Sequence, residues 1–334
     1  MPENARPAGA RPGNPPSGEA QLAPVRLGTW PTPVEPVPRL AAAAGLAADA
    51  LWIKRDDLSG LGGGGNKVRK LQYTCAQALA AGATTLVTSG APQSNHARLT
   101  AAAAARLGLR CVLVLGGEQP ALSQGNLALD HLAGARLAWL PGATPERLRD
   151  EVERQAKQVR DDGGVPFVIP FGGSSSFSAR GYVDCGTELV GQLPDIDHVV
   201  VAFGSGATMA GLVASLGAGR VIGIDTGAVA DPGATLDKLL DGMPDVPARR
   251  ADLRLDRGQV GAGYAALTPD AAAAMRLAAR TEGIFLDPTY TARALAGLIA
   301  CVADGRIGPR DRTILVHTGG LPGLFGHPAL PQLA

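Results

Sequence analysis

From residue 70 onward the chain keeps returning to one pattern: a helical run stopped by a glycine, then a short strand of β-branched residues or leucines. A helix over 70–81 ends at Gly82 and leads to a strand over 85–88. A second, over 94–107, ends at Gly108 and leads to 110–115, and a third, over 125–132, ends at Gly134 and leads to 137–140. Glycine supplies the left-handed residue that closes a helix, and strands joined through helices pair in parallel. The pattern therefore predicts an α/β fold. Ahead of it, structure begins near Thr32 and includes a strand over 50–54. Beyond it come a helix over 146–158, capped by Thr144 and Pro145, and a strand over 167–170. A second series then runs helix 178–191, strand 198–202, helix 208–216, strand 221–225. Helices over 269–282 and 291–302 and a strand over 313–317 close it. Two such series, separated by Gly-rich turns, predict two lobes around one cleft, because ligands of open α/β sheets sit at the carboxyl ends of strands.

Composition narrows the function classes. With 46% hydrophobic residues in 334, the chain can bury a sizeable core. The 31 basic and 30 acidic residues leave a net charge of +1, and no basic cluster is interleaved with aromatics. Neither nucleic acid nor a membrane surface is expected as a partner. Cys75, Cys111, Cys185 and Cys301 are far apart, form no CxxC and sit in apolar or helical runs. They read as reduced thiols in a cytoplasmic setting, with neither disulfides nor zinc. No metal-ligand spacing occurs among the histidines. No apolar stretch reaches the length of a bilayer span. Residues 1–24, rich in Pro, Ala, Gly and Arg, lack a signal-type hydrophobic segment and are expected to form a disordered leader.

Four turns carry the chemistry. Gly62-Gly63-Gly64-Gly65-Asn66-Lys67 is not a P-loop, since Asn precedes the lysine and Val follows it. It is either a flexible linker or a turn that presents Lys67; a lysine at a helix start opposes the helix dipole unless its charge is removed or faces an anion. Gln93-Ser94-Asn95-His96 reads as a strand-to-helix turn with Ser94 as N-cap, or as a carboxylate site at the helix start. Gly204-Ser205-Gly206-Ala207-Thr208 fails as a dinucleotide fingerprint, because Met209 stands at the third glycine. It fails as a nucleophile elbow because Phe203 precedes it, and phosphate cradling fits it better. Gly172-Gly173-Ser174 is a candidate site loop or only a loop. Tyr264 and Tyr290, two of four tyrosines, are site residues or core. A lysine in a glycine turn, followed by a Ser-Asn pair one helix and strand later, suits a pyridoxal 5'-phosphate (PLP) site.

Taken together, these residues resemble the D-cysteine desulfhydrase and 1-aminocyclopropane-1-carboxylate (ACC) deaminase family, in the tryptophan-synthase-β-like group of PLP enzymes. The resemblance runs from about Pro31 to Gly326. It rests on Lys-Arg-Asp-Asp (54–57), Gly-Gly-Asn-Lys-x-Arg-Lys-Leu (64–71), Gln-Ser-Asn-His-Ala-Arg (93–98), Gly-Asn-Leu (125–127), Gly-Gly-Ser (172–174), Gly-Tyr-Val (181–183), Asp-Pro-x-Tyr-Thr (287–291) and His-Thr-Gly-Gly (317–320).

The resemblance implies the two-lobed fold type II, each lobe a mostly parallel sheet flanked by helices. Residues 70–169 would form the smaller lobe, and 25–69 with 170–334 the larger, cofactor-binding one. Lys67 would be the Schiff-base lysine; Lys70 and the loop Gly204, Ser205, Gly206, Ala207 and Thr208 would hold the phosphate. Asn95 would bond the cofactor's 3-hydroxyl, and Thr318 would face the pyridine nitrogen. Ser94, Asn95, His96, Tyr264, Tyr290 and Thr291 would meet the substrate, with Lys67, Ser94, Tyr290 and Tyr264 as the catalytic set. ACC deaminases have Glu directly after the second tyrosine and Leu before Gly-Gly; here these are Thr291 and Thr318. A neutral partner makes the ring a milder electron sink, which favours β-elimination over cyclopropane opening. The expected function is a PLP-dependent β-eliminating lyase, a homodimer converting D-cysteine to pyruvate, ammonia and sulfide. L-cysteate, ACC or a biosynthetic amino acid are alternative substrates; a non-catalytic PLP or amino-acid binding protein and a nucleotide-dependent oxidoreductase are the other readings. Met209, Pro92, Ala265, Ser178 and Arg180 depart from the family pattern.

Overall fold

The computed structural model describes residues 22–243, 252–264 and 266–333. The strands are β1 (Val34–Pro36), β2 (Leu51–Lys54), β3 (Thr85–Gly90), β4 (Arg110–Gly116), β5 (Arg136–Leu140), β6 (Pro166–Val168), β7 (His198–Phe203), β8 (Val221–Asp225), β9 (Arg254–Asp256) and β10 (Thr313–Val316). The helices in the first half are α1 (Pro38–Ala43), α2 (Lys67–Ala80), α3 (Asn95–Leu107), α4 (Gly125–Leu132) and α5 (Pro145–Asp161). Those in the second are α6 (Ser176–Gln192), α7 (Ala207–Leu216), α8 (Pro232–Asp241), α9 (Pro269–Glu282), α10 (Thr291–Ala303), α11 (Leu321–Phe325) and α12 (Leu330–Leu333).

The strands form two sheets. One has six strands in the order β1-β2-β10-β7-β8-β9, parallel except for β1 against β2. The other has four, β5-β4-β3-β6, all parallel. Alternate residues of one strand feed opposite cores, as the two-residue pleat requires. From β7, Val200 and Ala202 join one buried cluster, while Val199, Val201 and Phe203 join another. From β4, Cys111, Leu113 and Leu115 pack on one face, and Val112 and Val114 on the other. Both sheets are covered by helices on both faces, which is the α/β architecture that the helix–glycine–strand pattern predicts.

The glycine stops close their helices as expected. Gly108 is left-handed, at φ 70°, and Leu109 N–H donates to Ala104 C=O at 2.9 Å, a Schellman closure. Thr144 accepts from Arg147 N–H at the start of α5, as its cap reading requires. Helix α2 begins at Lys67, three residues before the expected start, because Asn66 already takes helical dihedrals. β1, α1, α8, β9, α11 and α12 go beyond the expected elements. α8 carries a readable signal, Asp231 capping Ala234 N–H ahead of Pro232.

Most of the expected leader lies outside the described residues. Its last three positions, 22–24, lie along Tyr73 and Val183. All four cysteines are free and buried. Among the described residues no helix is long and apolar enough to cross a membrane.

Candidate active site

The glycine turn before Lys67 is a fixed structure, not a linker. Gly62, Gly63, Gly64 and Gly65 have φ of 56°, 87°, 73° and 125°. A Cβ at Gly64 would lie 1.8 Å from the Asp57 carbonyl oxygen, so only glycine fits there. Gly65 N–H donates to Ser59 Oγ at 2.9 Å, and Asn66 N–H donates to the Thr318 carbonyl at 2.9 Å. The buried Arg98 donates to the carbonyls of Gly62 and Gly64.

This turn delivers Lys67 as the first residue of α2. Its Nζ donates to the Gly172 carbonyl at 3.0 Å, and Lys70 Nζ donates to the same oxygen at 2.7 Å. Lys70 also donates to Ser174 Oγ at 2.9 Å, which in turn lies 2.7 Å from Ser205 Oγ. Burial pulls the Lys67 amine down to about 8. Lys70 is held well below the ordinary lysine range by burial and by the adjacent charge of Lys67.

Facing Lys67 across one cleft are Gly204, Ser205, Gly206 and Thr208, with Asn95 and Tyr290 at its sides. Helix α7 opens there at Gly206, φ 91°, without a side-chain cap. Its first amides therefore lack intrahelical acceptors, including that of Ala207. Ser205 and Thr208 place hydroxyls beside them, and Asn66 Nδ2 donates to Thr208 Oγ1 at 3.0 Å. A Cβ at Gly172 would fall 2.3 Å from Ser205 Oγ and 3.8 Å from Lys67 Nζ. One at Gly204 would fall 3.1 Å from Tyr290 Cε1. No acidic residue lines this cleft among the described residues. Two amines, open helix amides and hydroxyls without a carboxylate suit a phosphate dianion.

Ser94 caps α3, accepting from Ala97 N–H at 3.1 Å, which leaves the amides of Asn95 and His96 at the helix start for an anion. The His96 ring does not reach the cleft. It is 2% exposed, with Nε2 2.9 Å from Thr88 Oγ1, and it underlies Gly173. Thr88 gives its own proton to the Ile169 carbonyl, so His96 Nε2 carries the hydrogen in that contact. Burial, with the charges of Lys67 and Lys70, keeps this ring neutral. The expected substrate contact of His96 can thus come only from its backbone.

Tyr290 and Tyr264 share a short hydroxyl–hydroxyl hydrogen bond, their rings edge to face at 5.9 Å. Burial raises both phenols above the ordinary range, so both are protonated donors. Thr291 does not point to substrate. It is 1% exposed, and its hydroxyl bonds Asp287 Oδ1 at 2.7 Å and receives Asp287 N–H at 2.8 Å. The expected substrate role gives way to holding the turn that sets Tyr290, because the buried hydroxyl spends its one hydrogen on Asp287 and accepts from the same residue. Thr318 flanks the Lys67 turn through its carbonyl.

Asn66 and the loop Gly172-Gly173-Ser174 entered the sequence reading as motif positions, without an assigned role. The departures find local causes. Ser178 completes a capping box with Ser175 and donates to the Gly173 carbonyl at 2.8 Å. Met209 is buried, its sulfur filling the space left by Gly223. Ala265 lies outside the described residues.

Known proteins resemble this chain in sequence and fold. A family model described as "Pyridoxal-phosphate dependent enzyme" matches residues 25–319. D-cysteine desulfhydrase of Klebsiella pneumoniae (strain 342) is 40% identical, covering 90% of this chain and 95% of its own. A Pyrococcus horikoshii protein, provisionally named 1-aminocyclopropane-1-carboxylate deaminase, is 37% identical over 90% of this chain and 93% of its own. The crystal structure of an ACC deaminase homologue superposes with a TM-score of 0.84 at 35% identity, covering 94% of this chain and 96% of that one. A buried amine of lowered basicity beside an anion cradle is what an aldehyde-bearing phosphate cofactor requires, and similarity over nine-tenths of the chain leaves one assignment: the chain belongs to the pyridoxal-phosphate dependent enzymes, among the D-cysteine desulfhydrase and ACC deaminase relatives.

Proposed function

We propose that this enzyme is a β-eliminating lyase whose substrate is D-cysteine. The reaction takes D-cysteine and water to pyruvate, ammonia and sulfide. The bound cofactor supplies the electron sink that acidifies the substrate's Cα–H. Lys67 would hold the cofactor through its amine, and the same amine would be the base for the substrate's Cα proton. Ser94 and the amides of Asn95 and His96 receive the substrate carboxylate. Lys70, Ser205, Gly206, Ala207 and Thr208 hold the phosphate, and Gly204 leaves room for the Tyr290 ring beside it. The Tyr264–Tyr290 pair, both protonated, gives a proton to the departing sulfur. Thr318 is the neutral neighbour of the pyridine nitrogen.

The observation that supports this choice is that no carboxylate stands among the described residues lining the pocket around Lys67, Asn95 and Tyr290, while Thr291 and Thr318 occupy the two positions at which the deaminases carry Glu and Leu. Without an acid to hold a proton on the ring, the sink is weak. A weak sink suffices where a thiol leaves from Cβ and drains the charge; it serves cyclopropane opening poorly. The proposal includes a cytoplasmic homodimer, with a smaller lobe of residues 70–169 against a larger one of 25–69 and 170–334.

The test assays sulfide, pyruvate and ammonia from the cofactor-loaded protein with D-cysteine and, separately, with ACC. Sulfide and pyruvate in equal amounts from D-cysteine, exceeding ammonia from ACC, are expected. Faster ammonia release from ACC would replace this reading with the deaminase. Lys67→Ala should lower turnover by about 10⁴-fold or more; a variant as active as the parent removes Lys67 from the mechanism.

A further inference from the structure

The Gly-Asn-Leu stretch at 125–127 lines no part of the cleft, yet Asn126 is fully buried directly behind Asn95. Its Nδ2 donates at 2.9 Å to the Gln93 backbone carbonyl, a group that can only accept. That contact decides which end of the Asn126 amide is nitrogen. The other hydrogen of the same Nδ2 meets the Asn95 side chain at 2.9 Å, so the Asn95 atom there is the acceptor Oδ1. The Asn95 amide nitrogen is thereby turned the other way, toward the cleft that Asn95 shares with Lys67.

Gln93 locks the arrangement from behind. Asn126 N–H, which can only donate, reaches Gln93 Oε1 at 2.9 Å, and Gln93 Nε2 donates to the Gln124 carbonyl at 3.0 Å. A Cβ at Gly125 would stand 2.5 Å from Gln93 Oε1, and one at Gly326 would stand 2.2 Å from its Cδ. Glycine at both positions leaves the Gln93 amide its space, and the donor-only Asn126 N–H and acceptor-only Gln124 carbonyl decide which end is oxygen. A chain of fixed donors and acceptors therefore runs from the backbone through Gln93 and Asn126 to Asn95.

We propose that Asn126, backed by Gln93, is a positioning residue that presents the N–H groups of Asn95, and not its oxygen, to the cofactor's ring oxygen. The inference rests on the reading of Asn95 as the partner of that oxygen. A free amide samples both orientations, and in one of them two oxygens oppose each other. Holding the donor in place favours the anionic form of the ring oxygen, which is the form that absorbs in the visible.

The test uses the full-length protein loaded with PLP. Absorption spectra and cofactor retention on dilution are compared for the parent, Asn126→Leu, Asn95→Ala and the double variant, with thermal melts alongside. Asn126→Ala, which likewise removes the donor, serves where the leucine variant does not fold. Expected is loss of visible absorbance to a near-ultraviolet band and about tenfold weaker retention in Asn126→Leu, from a buried group left without its partner. Neither change should add to that of Asn95→Ala, because Asn126 acts through Asn95. A parent spectrum in a folded Asn126 variant, or a shift that adds fully to that of Asn95→Ala, overturns the proposal. A parent spectrum in Asn95→Ala overturns the underlying reading, and the proposal with it.

Discussion

Lys67 stands where a positive charge is least favoured, at a helix start beside a second buried amine. Burial draws it down to about 8, so its neutral form grows as pH rises through that value and is lost below it. Only the neutral amine attacks an aldehyde. The apo protein should therefore take up PLP faster as pH rises from 7 to 9, levelling off above about 8, as followed by visible absorbance. A rate that stays flat across that range would mean a different amine captures the cofactor. Gly172 offers a second residue-scale check. With φ 63° and a would-be Cβ 2.3 Å from Ser205 Oγ, Gly172→Ala should push Ser205 out of the cradle and weaken retention about tenfold or more. Unchanged retention would show that Ser205 does not hold the phosphate. The local structure around Ser94, Asn95 and the 204–208 loop was legible because each stands at a strand-to-helix turn with small neighbours, and that around Lys67 because four glycines precede it. His96 and Thr291 were not, since the residue after a turn gives no sign of whether its side chain faces the cleft or folds back onto its own support.

At the scale of elements, α2 is aimed by a buried ion network. Arg69 Nε and Nη2 donate to Asp56 at 2.8 and 3.0 Å, Nη1 and Nη2 donate to Glu188 at 2.9 and 2.8 Å, and the guanidinium lies 4.0 Å over Trp30. Lys54 joins Glu188 at 2.9 Å, and Tyr182 donates to Asp56 at 2.5 Å. Helix α2 is thereby fastened to α6 and to the end of β2, two residues from Lys67. Arg69→Met should cost about 3–5 kcal/mol, because it leaves the buried Asp56 carboxylate without its cation. Urea unfolding should show a lower midpoint at unchanged slope. Arg69→Lys should not rescue it, since an ammonium cannot make both forked contacts; a parent midpoint in either variant would deny the network its role. The sequence showed Lys54, Asp56 and Arg69 within motifs but not why, because Glu188, the partner of Lys54 and Arg69, and Tyr182, which donates to Asp56, are more than a hundred residues away. Helix α2 and its neighbours were readable from their glycine stops. The three-residue β9 and the six-residue α1 fall below the length at which periodicity speaks.

Over the whole molecule the cleft draws on distant stretches: Asn66, Lys67 and Asn95 from one part of the chain, Gly204–Thr208 and Tyr290 from another. A ligand that binds only when these are assembled stabilises the folded state by mass action, about 2.7 kcal/mol when present at a hundred times its dissociation constant. Its removal also leaves the lowered amines of Lys67 and Lys70 facing each other without a counter-anion. Stripping PLP should therefore lower Tm on the order of 5 °C, and re-addition should restore it. Lys67→Ala separates the two contributions, because it loses the bond to the cofactor while the phosphate cradle and Lys70 remain. With excess PLP it should gain part of the parent's increment, and inorganic phosphate alone should give the same variant a smaller one. An apo protein that melts with the parent, or an alanine variant indifferent to both ligands, would mean the 204–208 loop and Lys70 do not form the anion cradle that the uncapped start of α7 implies.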